Sequence, residues 1–450
     1  MADSEISVSS DLHSNETVVA QTGLSNRITW QRFCSDVANL CDALSDHDLS
    51  EWVLCISDSY TFAVAFFAVM ASGNALFLPG NLQPAALARL ASPARGFLYD
   101  GDAVPGFGAA VLLPLCESQH TNGHFLVQDI DTLRITLLTS GSTGQPKAVS
   151  KSLANLLTEV MALEKIWGAT VRGALVVATV THQHIYGLLF RVLWPLFAGN
   201  PFDRRLLIFP EEVVASAGPD TVVVSSPTLL KLLGGGSSQE SRAIFSSGGL
   251  LPLDAAVGCS RVLGHLPFEV FGSTETGGIA WRQQIAVDTP WALFPDVQAH
   301  VGADQSLVVQ TPYITPSAFL STGDAVQMIG DRQFVWKGRV DRILKIAEKR
   351  ISLSEVEAVL VQCDWIQEAA VVVLGEPDHP VLGAVIVLSP AGSLALQDLK
   401  AGRFRLQLRK TLRHRLEAAA VPRRYREVDQ FPLNAQGKLV QSALRRLFLK

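Results

Sequence analysis

The chain has 450 residues, of which 48% are hydrophobic and 18% are charged. This composition excludes a disordered protein, and the length exceeds that of a usual single hydrophobic core, so at least two domains are predicted. The formal net charge of −5 gives no reason to expect a nucleic-acid partner.

The N-terminal part of the chain and the cysteines predict the compartment. Residues 1–20 are polar and acidic and lack the basic start and apolar stretch of a secretory signal. The most apolar segment, residues 62–71, has about half of the roughly 20 residues that cross a bilayer, so a buried helix is predicted. The six cysteines show no CxxC pair or metal-ligand spacing, as expected for reduced thiols. We therefore expect a cytoplasmic protein without a membrane partner.

Apolar runs of strand length then alternate with helical segments. The runs are ALFLP near residue 76, ALVVATV from residue 174, RLLIFP from residue 205 and DTVVVSS from residue 220. This alternation predicts a layered α/β architecture with buried strands. The glycine-rich residues 234–239 are predicted to form a surface loop, because strand-like and helical patterns continue on both sides.

A domain boundary is predicted near GRVDRILK, residues 338–345, where a strand-like segment gives way to polar residues. Ser354 followed by Glu357 fits a capping box, which would start the next helix. Two short strands, EAAVVVLG and GAVIVLS, and a basic amphipathic helix follow. The prediction is a large α/β domain over residues 1–338 and a small α+β domain over residues 339–450.

The segment TSGSTGQPK, residues 139–147, is rich in glycine and hydroxyl residues. Successive N–H groups in such a turn can form an anion-binding concavity, to which hydroxyls add donors and Lys147 adds a charge. The Walker pattern fails, because Pro146 stands where its second glycine should precede the lysine. The segment is therefore another kind of phosphate loop, or a flexible turn. The candidate phosphate-binding residues are Thr139, Ser140, Gly141, Ser142, Thr143, Gly144 and Lys147.

The longer string LTSGSTGQPKAV resembles the phosphate-binding signature of the adenylate-forming superfamily, which includes acyl- and aryl-CoA synthetases, peptide-synthetase adenylation domains and luciferases. Four further segments resemble the superfamily's other signatures in the same order: VFGSTETGG, STGDAV, GRVDRILK and PLNAQGKL. The resemblance covers roughly residues 30–450. It implies a large layered α/β domain joined by a hinge to a small α+β domain, with ATP and Mg²⁺ as cofactors.

The resemblance also implies roles for individual residues. Thr274 would contact the α-phosphate, and Glu275 would hold Mg²⁺, a hard cation that prefers carboxylate oxygens. Asp324 would accept hydrogen bonds from both ribose hydroxyls, and Arg339 would lie near the ribose and phosphate. The other nucleotide-binding residues that it implies are Gly249, Phe271, Gly272 and Ser273.

Two further positions relate to the movement of the small domain between the two steps of the family's reaction, adenylate formation and thioester formation. Asp341 falls at the family's hinge, and Lys438 would reach the carboxylate and the α-phosphate during adenylate formation and then leave with the small domain. This chain departs from many relatives by having Glu348, not glycine, in the segment that lines the thiol tunnel. The resemblance therefore supports the adenylate step more strongly than the thiol step.

The acid pocket implied by the resemblance is formed by THQHIYGL, by the SSGG turn and by the FGSTE strand. His184 matches the family's gate beside the carboxylate, and the alternative is a buried histidine bonded to a neighbour. Ile185 stands where amino-acid-activating relatives have an aspartate, and a buried ammonium without a countercharge would be costly. An aryl acid, hydroxybenzoate-like among others, or a fatty acid is therefore expected. The predicted pocket residues are His182, His184, Tyr186, Gly187, Ser247 and Gly248.

The end of the chain is basic: from Lys400 onward there are 14 Lys or Arg and 3 Asp or Glu. This predicts an anionic partner or, equally, a solvated helix face. An acyl carrier protein and CoA are both anionic, so either is a candidate thiol acceptor. The predicted function is an ATP-dependent ligase that joins a carboxylic acid, through acyl-AMP, to a pantetheine thiol. The alternatives are an oxidoreductase of luciferase type and a non-catalytic scaffold with the same fold.

Overall fold

The computed structural model describes residues 8–9, 11–23, 25–80, 82–101, 110–113, 123–140, 146–234, 239–346, 349–375, 380–416, 418–433 and 439–449. The chain divides into two compact units. The first comprises Met1–Gln298 and Val309–Leu320, and the second comprises residues 299–308 and 321–450. The α/β class predicted from the sequence is confirmed, whereas the domain boundary after residue 338 stays a prediction. None of the helices in the described ranges is long and apolar enough to cross a membrane.

The first unit contains most of the elements. Its strands are β1 (Val8–Ser9), β2 (Val18–Thr22), β3 (Ser25–Thr29), β4 (Glu51–Cys55), β5 (Ala75–Leu78), β6 (Arg95–Tyr99), β7 (Ala110–Leu112), β8 (Leu126–Val127), β9 (Arg134–Ser140), β10 (Pro146–Ser152), β11 (Leu175–Ala178), β12 (Phe202–Leu206), β13 (Thr221–Ser225), β14 (Ala243–Ser246), β15 (Phe268–Ser273), β16 (Gly277–Gln283) and β17 (Trp291–Leu293). Its helices are α1 (Trp30–Ser45), α2 (Ser59–Ala71), α3 (Pro84–Ala88), α4 (Leu153–Val171), α5 (Ile185–Gly187), α6 (Trp194–Ala198), α7 (Pro210–Ser216), α8 (Pro227–Leu230) and α9 (Leu253–Leu263). A π-helix spans Leu188–Leu193.

Two sheets organise this unit. One has the strand order β10-β9-β5-β4-β6-β7 and is parallel except for the β9–β10 hairpin. The other contains β17-β16-β15-β14-β13-β11-β12-β2-β3, with parallel pairing from β15 to β2. All five residues of β13 are buried, as expected for a parallel strand covered on both faces. Functional side chains are therefore expected at the strand ends and in the loops.

Helix starts in this unit follow from local hydrogen bonds. The segment predicted as a buried helix forms α2, in which all residues except the last are buried. Asp58 caps α2 by accepting the Thr61 N–H at 2.8 Å. Helix α4 begins directly after β10, where Ser152 and Asn155 form a reciprocal capping box. The tight junction places the end of β10 beside the first turns of α4.

The second unit contains a four-strand series, a hairpin and a three-stranded sheet. Its strands are β18 (Gln298–Val301), β19 (Ser306–Gln310), β20 (Leu320–Ile329), β21 (Gln333–Arg339), β22 (Ile343–Ile346), β23 (Lys349–Ser352), β24 (Ile366–Leu374), β25 (Val381–Leu388) and β26 (Arg424–Glu427). A few end residues of β18, β19 and β20 belong to the first unit. Its helices are α10 (Leu353–Val361), α11 (Pro390–Arg413) and α12 (Gln441–Arg446), with 3₁₀ turns at Val340–Arg342 and Ala418–Ala420. Strands β24 and β25 pair antiparallel, and β26 joins β25 in parallel.

The helices of this unit depart from the sequence prediction at two points. Helix α10 starts after Ser352, whose Oγ accepts the Glu355 N–H at 3.3 Å, so the predicted cap at Ser354 was wrong. The earlier start buries Leu353 at the first helical position. In α11, Lys400 has a non-helical backbone and divides the helix into two parts. The part after Lys400 buries Phe404, Leu408 and Leu412, four residues apart, as an amphipathic helix should.

Candidate functional site

The phosphate loop and the predicted metal ligand meet in the first unit. Lys147 lies on β10, opposite Thr139 on β9, and the Thr139 hydroxyl donates to the Lys147 carbonyl at 3.2 Å. The Lys147 Nζ donates to Glu275 Oε1 at 2.6 Å, across 128 residues of sequence. Burial is the largest single influence and by itself would raise the pKa of Glu275. The hydrogen bond and the charge of Lys147, together with hydrogen bonds from the Glu275 backbone and from Ser273, outweigh burial, so this pKa is lowered. An ionised carboxylate therefore lies beside Lys147, the last residue of the candidate phosphate loop.

Glu275 belongs to a tight turn between β15 and β16, which also carries Thr274. The Ser273 and Thr276 hydroxyls lie 3.0 Å apart, and each is also hydrogen-bonded to the other's backbone N–H. Gly277 has a φ of +72°, a conformation that glycine adopts without strain. The ring of Phe271, on β15, packs at 5.2 Å from the ring of Trp291. The close approach of β16 to Gly272 also requires glycine, since a Cβ there would lie 2.2 Å from the Gly277 carbonyl oxygen.

Two buried ionisable side chains form hydrogen bonds with the backbone of this turn. Lys151 is 1% exposed, and its Nζ donates to the Tyr313 carbonyl at 2.8 Å and to the Glu275 carbonyl at 3.4 Å. Glu159, on α4, is 2% exposed and accepts the Gly278 N–H at 2.6 Å. The backbone of the turn is therefore anchored on both sides of Thr276.

The segment around the two histidines separates them by environment. His182 is 1% exposed; its Nε2 lies 2.8 Å from the Ile56 carbonyl and its Nδ1 lies 3.3 Å from the Ser59 hydroxyl. Its ring also stacks on Phe62, with ring centroids 4.0 Å apart. Both ring nitrogens of His182 are thus used within the protein. Burial, reinforced by the charge of Arg191, lowers the pKa of His182 to about 3.

His184, in contrast, is half-buried and precedes the short helix α5. A Cβ added to Gly80 would lie 3.4 Å from His184 Cε1 and 2.3 Å from the Leu138 carbonyl oxygen, so His184 and the end of β9 approach Gly80 together. Gly187 permits the turn, because a Cβ there would lie 2.1 Å from the Thr181 carbonyl. The Tyr186 ring packs against Phe190 at 4.8 Å. His184 therefore comes close to the strand that leads into the phosphate loop.

The SSGG turn follows strand β14 at the carboxyl end of the parallel strands. Ser247 is half-buried, and its hydroxyl donates to the Val270 carbonyl on β15 at 2.9 Å. Gly248 has a φ of +90°, and both Gly248 and Gly249 are exposed. The turn is thereby fixed to β15, the strand that leads into the turn carrying Glu275.

The predicted ribose-binding residues meet in the second unit. Asp324 on β20 is in register with Arg339 on β21, and Arg339 Nη1 lies 3.7 Å from Asp324 Oδ2. Arg339 Nη1 also donates to the Thr322 carbonyl at 2.9 Å, and the Trp336 indole donates to Asp324 Oδ1 at 3.0 Å. Gly323 has a φ of +71°, which sets the bend before Asp324. The structure thus brings Asp324 of the T-G-D segment and Arg339 of the hinge segment together.

Several predicted residues cannot be compared with the structure. Lys438 and the centre of the phosphate loop lie outside the described residues; the loop residues concerned are Gly141, Ser142, Thr143 and Gly144. Ser140 ends β9, and Asp341 lies in the 3₁₀ turn Val340–Arg342. In the described ranges, no group of three or more His, Cys, Asp or Glu side chains is arranged to hold a metal ion. A Mg²⁺ held by one carboxylate and by phosphate oxygens needs no such group, so Glu275 fits that kind of site.

Comparison with known proteins agrees with this arrangement. A family model described as AMP-binding enzyme matches residues 108–309, and the model of the AMP-binding enzyme C-terminal domain matches residues 355–438. Together they cover well over half of the chain. The chain belongs to the AMP-binding, adenylate-forming enzyme family. This family binds ATP and includes acid–thiol ligases and adenylation domains, so the family resemblance seen in the five segments is confirmed.

Similar proteins of this family are named either for CoA or for a carrier protein. A 4-coumarate–CoA ligase of Cereibacter sphaeroides is 28% identical over 311 residues, covering 68% of this chain and 70% of that protein. An L-proline–[L-prolyl-carrier protein] ligase of Pseudomonas fluorescens is 33% identical over 165 residues, 35% of this chain and 31% of that one. The crystal structure of ATP-bound MatB from Rhodopseudomonas palustris superposes with a TM-score of 0.82 at 18% identity, covering 96% of both chains. The last likeness establishes the fold of the adenylate-forming enzymes.

Sequence reasoning missed two residues in this AMP-binding enzyme, Lys151 and Glu159. Neither belongs to a segment that resembles a family signature. The available signals were weak: a second lysine four residues after Lys147, and a carboxylate within the largely apolar run LLTEVMAL of α4. Their contacts span 119 to 162 residues, which no local pattern predicts.

The buried His182 gives a stability prediction. Because its folded pKa lies near 3 and its unfolded pKa near 6.5, the unfolded chain binds more protons between these values, so stability falls as the pH is lowered. Between about pH 7.5 and pH 5 this histidine should remove about 2 kcal/mol of the free energy of unfolding. We expect His182→Gln to be less stable than wild type at neutral pH. Between pH 7.5 and pH 5, its free energy of unfolding, measured with urea, should fall by about 2 kcal/mol less than that of wild type. The exposed His265, changed to Gln, is the control; equal pH dependence in wild type and His182→Gln would contradict the assignment.

Proposed function

We propose that this enzyme activates a carboxylic acid with ATP to form acyl-AMP and then transfers the acyl group to a pantetheine thiol. The observation that supports this most is the 2.6 Å contact between Lys147, on the phosphate loop, and the ionised Glu275 carboxylate. The Lys147 ammonium can bind a phosphate, and the Glu275 carboxylate can bind a divalent cation. Their proximity therefore suits a polyphosphate that carries a divalent cation. The non-catalytic scaffold would have no need of an ionised carboxylate there.

In the first step, a carboxylate oxygen forms a bond to the α-phosphorus, and pyrophosphate leaves with the electrons of the broken P–O bond. Lys147 and the loop N–H groups would bind the phosphates, and Thr274 would donate to the α-phosphate. Glu275 would hold Mg²⁺, which supplies positive charge against the developing phosphate charge. Lys438 would place a cation at the reacting oxygens. These contributions are positioning and electrostatic stabilisation.

In the second step, the thiol sulfur attacks the acyl carbon, its proton is lost, and AMP leaves with the electrons of the C–O bond. Asp324 would hold the ribose hydroxyls, and Arg339, which contacts it, would stay near the ribose and phosphate. Lys438 is not needed here, and Asp341 would be the hinge residue that lets the small domain exchange one set of loops for another.

For the acid, an aryl acid with a hydroxylated ring is the proposal. Ile185 offers no countercharge for a substrate ammonium, and Tyr186 with Phe190 places aromatic surface beside the loop of His184. Within that loop, His184 is the proposed gate, and we infer that His182 supports the loop from within the core. The name of one relative contains 4-coumarate, a hydroxylated aryl acid. Gly187, Ser247 and Gly248 complete the proposed pocket.

For the thiol, a carrier protein is proposed, with CoA as the second candidate. After Lys400, α11 exposes Arg403, Lys410 and Arg413 on the side opposite its buried leucines, whereas Arg409 lies partly buried at the edge. This basic face, which we define as Arg403, Lys410 and Arg413, suits an acidic partner. One relative is named for a carrier-protein substrate and another for CoA.

Charge reversal tests the carrier proposal. Changing Arg403, Lys410 and Arg413 to Glu should slow acylation of a carrier protein by about tenfold at low salt, because steering is lost, and leave adenylate formation unchanged. Raised salt should shrink the difference. The matched control reverses Arg27, Arg89 and Arg261, three exposed residues of the first unit. Equal loading by both triple variants would show that the basic face is ordinary surface.

The function itself is tested by pyrophosphate exchange into ATP with a panel of aryl, fatty and amino acids. Exchange that depends on an added aryl acid supports the proposal, and mass spectrometry of products with CoA or a carrier protein then identifies the acceptor. Exchange with amino acids only would overturn the proposed acid class. No exchange with any acid, despite ATP binding, would favour the scaffold.

A further inference from the structure

A buried lysine and a buried glutamate lie under the turn that carries Thr274 and Glu275. We propose that Lys151 and Glu159 are positioning residues that fix the main chain of this turn and so hold the Glu275 carboxylate in place for a divalent cation bound with ATP. The inference rests on the proposed role of Glu275, and it adds two residues for which no role follows from the sequence signatures.

Strand β10 contacts Glu275 twice. Lys147 and Lys151 are four residues apart on this strand, so their side chains leave the same face. Lys147 reaches the Glu275 carboxylate at 2.6 Å, and Lys151 reaches the Glu275 main-chain carbonyl at 3.4 Å. Lys151 is fixed in turn by the Tyr313 carbonyl at 2.8 Å. One strand therefore determines the position of both the backbone and the side chain of Glu275.

Glu159 anchors the other end of the turn. Its Oε1 accepts the Gly278 N–H at 2.6 Å, and its Oε2 is buried without a hydrogen-bond partner among the described residues. A Cβ at Gly277 would lie 2.6 Å from Oε2, and one at Gly278 would lie 2.7 Å from Phe294 Cε2. The two glycines are therefore the residues that let the turn approach Glu159 closely.

Between these anchors, the Thr311 hydroxyl donates to the Thr276 carbonyl at 3.0 Å. Main-chain groups of Glu275, Thr276 and Gly278 are thus each held by a buried side chain. For stability alone, well-packed apolar residues would serve as well as two buried ionisable side chains, which lose their hydration. The presence of Lys151 and Glu159 is explained by the main-chain groups that they hold, since an apolar replacement would leave a carbonyl and an N–H of the turn unpaired.

The test compares variants that remove an anchor with one that only loosens the core. Lys151→Met and Glu159→Leu remove one anchor each, and Glu159→Gln keeps an acceptor oxygen for the Gly278 N–H. Leu156→Ala, on the same helix and fully buried, is the packing control. Two quantities are measured for each folded protein: binding of Mn²⁺ with ATP, by electron paramagnetic resonance without any acid, and the kcat of pyrophosphate exchange.

We expect Lys151→Met and Glu159→Leu to weaken Mn²⁺ binding in the presence of ATP about tenfold and to lower kcat by roughly 10–100-fold, since small displacements of positioned groups have effects of this size. Glu159→Gln should stay within about threefold of wild type, and Leu156→Ala should lower thermal stability with Mn²⁺ binding unchanged. The proposal is overturned if the anchor variants bind Mn²⁺ as Leu156→Ala does. Because Mn²⁺ binding is measured without acid, failure of acid activation in wild type would be seen separately, as absent exchange with normal Mn²⁺ binding.

Discussion

Lys438→Ala is expected to lower acid-dependent pyrophosphate exchange by about 10²–10³-fold, the usual effect of removing one group that stabilises developing oxygen charge. Thioester formation from a supplied acyl-adenylate should stay close to the wild-type rate, because in the proposed mechanism this lysine acts only in the first step. The two half-reactions are measured separately, by exchange of labelled pyrophosphate and by quenched acylation of the thiol.

A matched control for Lys438 is Lys410→Ala, which removes an exposed lysine of α11 and should leave the exchange rate unchanged. Equal losses in both half-reactions for Lys438→Ala would contradict the role. They would indicate that the substitution affects the fold or a step common to both reactions.

Glu275→Gln should raise the Mg²⁺ concentration needed for half-maximal exchange at least about tenfold and lower kcat by about 10²-fold, because an uncharged amide is a weaker ligand for a hard cation. The substitution keeps the size of the side chain, so packing of the turn is preserved. It also removes the ion pair with Lys147, whose side chain is 60% exposed, so little stability should be lost.

The control for Glu275 is Glu211→Gln, which changes an exposed carboxylate in the first turn of α7. A titration of Mg²⁺ at saturating ATP and acid gives both constants. If Glu275→Gln shows the wild-type Mg²⁺ requirement, Glu275 is not the metal ligand and the assignment of the phosphate site is wrong.

Three of the four apolar runs form the strands β5, β11 and β13, as predicted from their lengths. The strand prediction for RLLIFP was wrong for most of its length, because β12 ends at Leu206. The all-buried β13 and the helix α2 are predictable because burial on all sides leaves a continuous apolar sequence. The start of α10 was less predictable, since Ser352 and Ser354 both offer a capping hydroxyl. Packing of Leu353 into the core of the second unit favours the earlier one.

The candidate site was predictable only where sequence signatures exist. Signatures gave Lys147, Glu275, Asp324 and Arg339, and the structure places the first two in contact and the last two in register. No local pattern distinguishes His182 from His184, because the difference depends on Ser59 and Phe62, more than a hundred residues earlier. Lys151 and Glu159 were not predicted for the same reason, because their hydrogen-bond partners are more than a hundred residues away in the sequence.

The fate of the carboxylate oxygen tests the central claim most directly. An acid that supports exchange is labelled with a heavy oxygen isotope in its carboxylate, the reaction is run to thioester, and the AMP and pyrophosphate are analysed by mass spectrometry. Attack of the carboxylate on the α-phosphorus, followed by cleavage of the acyl–oxygen bond, predicts one labelled oxygen in AMP and none in pyrophosphate. Unlabelled AMP, or label in pyrophosphate or inorganic phosphate, would show that the acid is not activated as an acyl-adenylate.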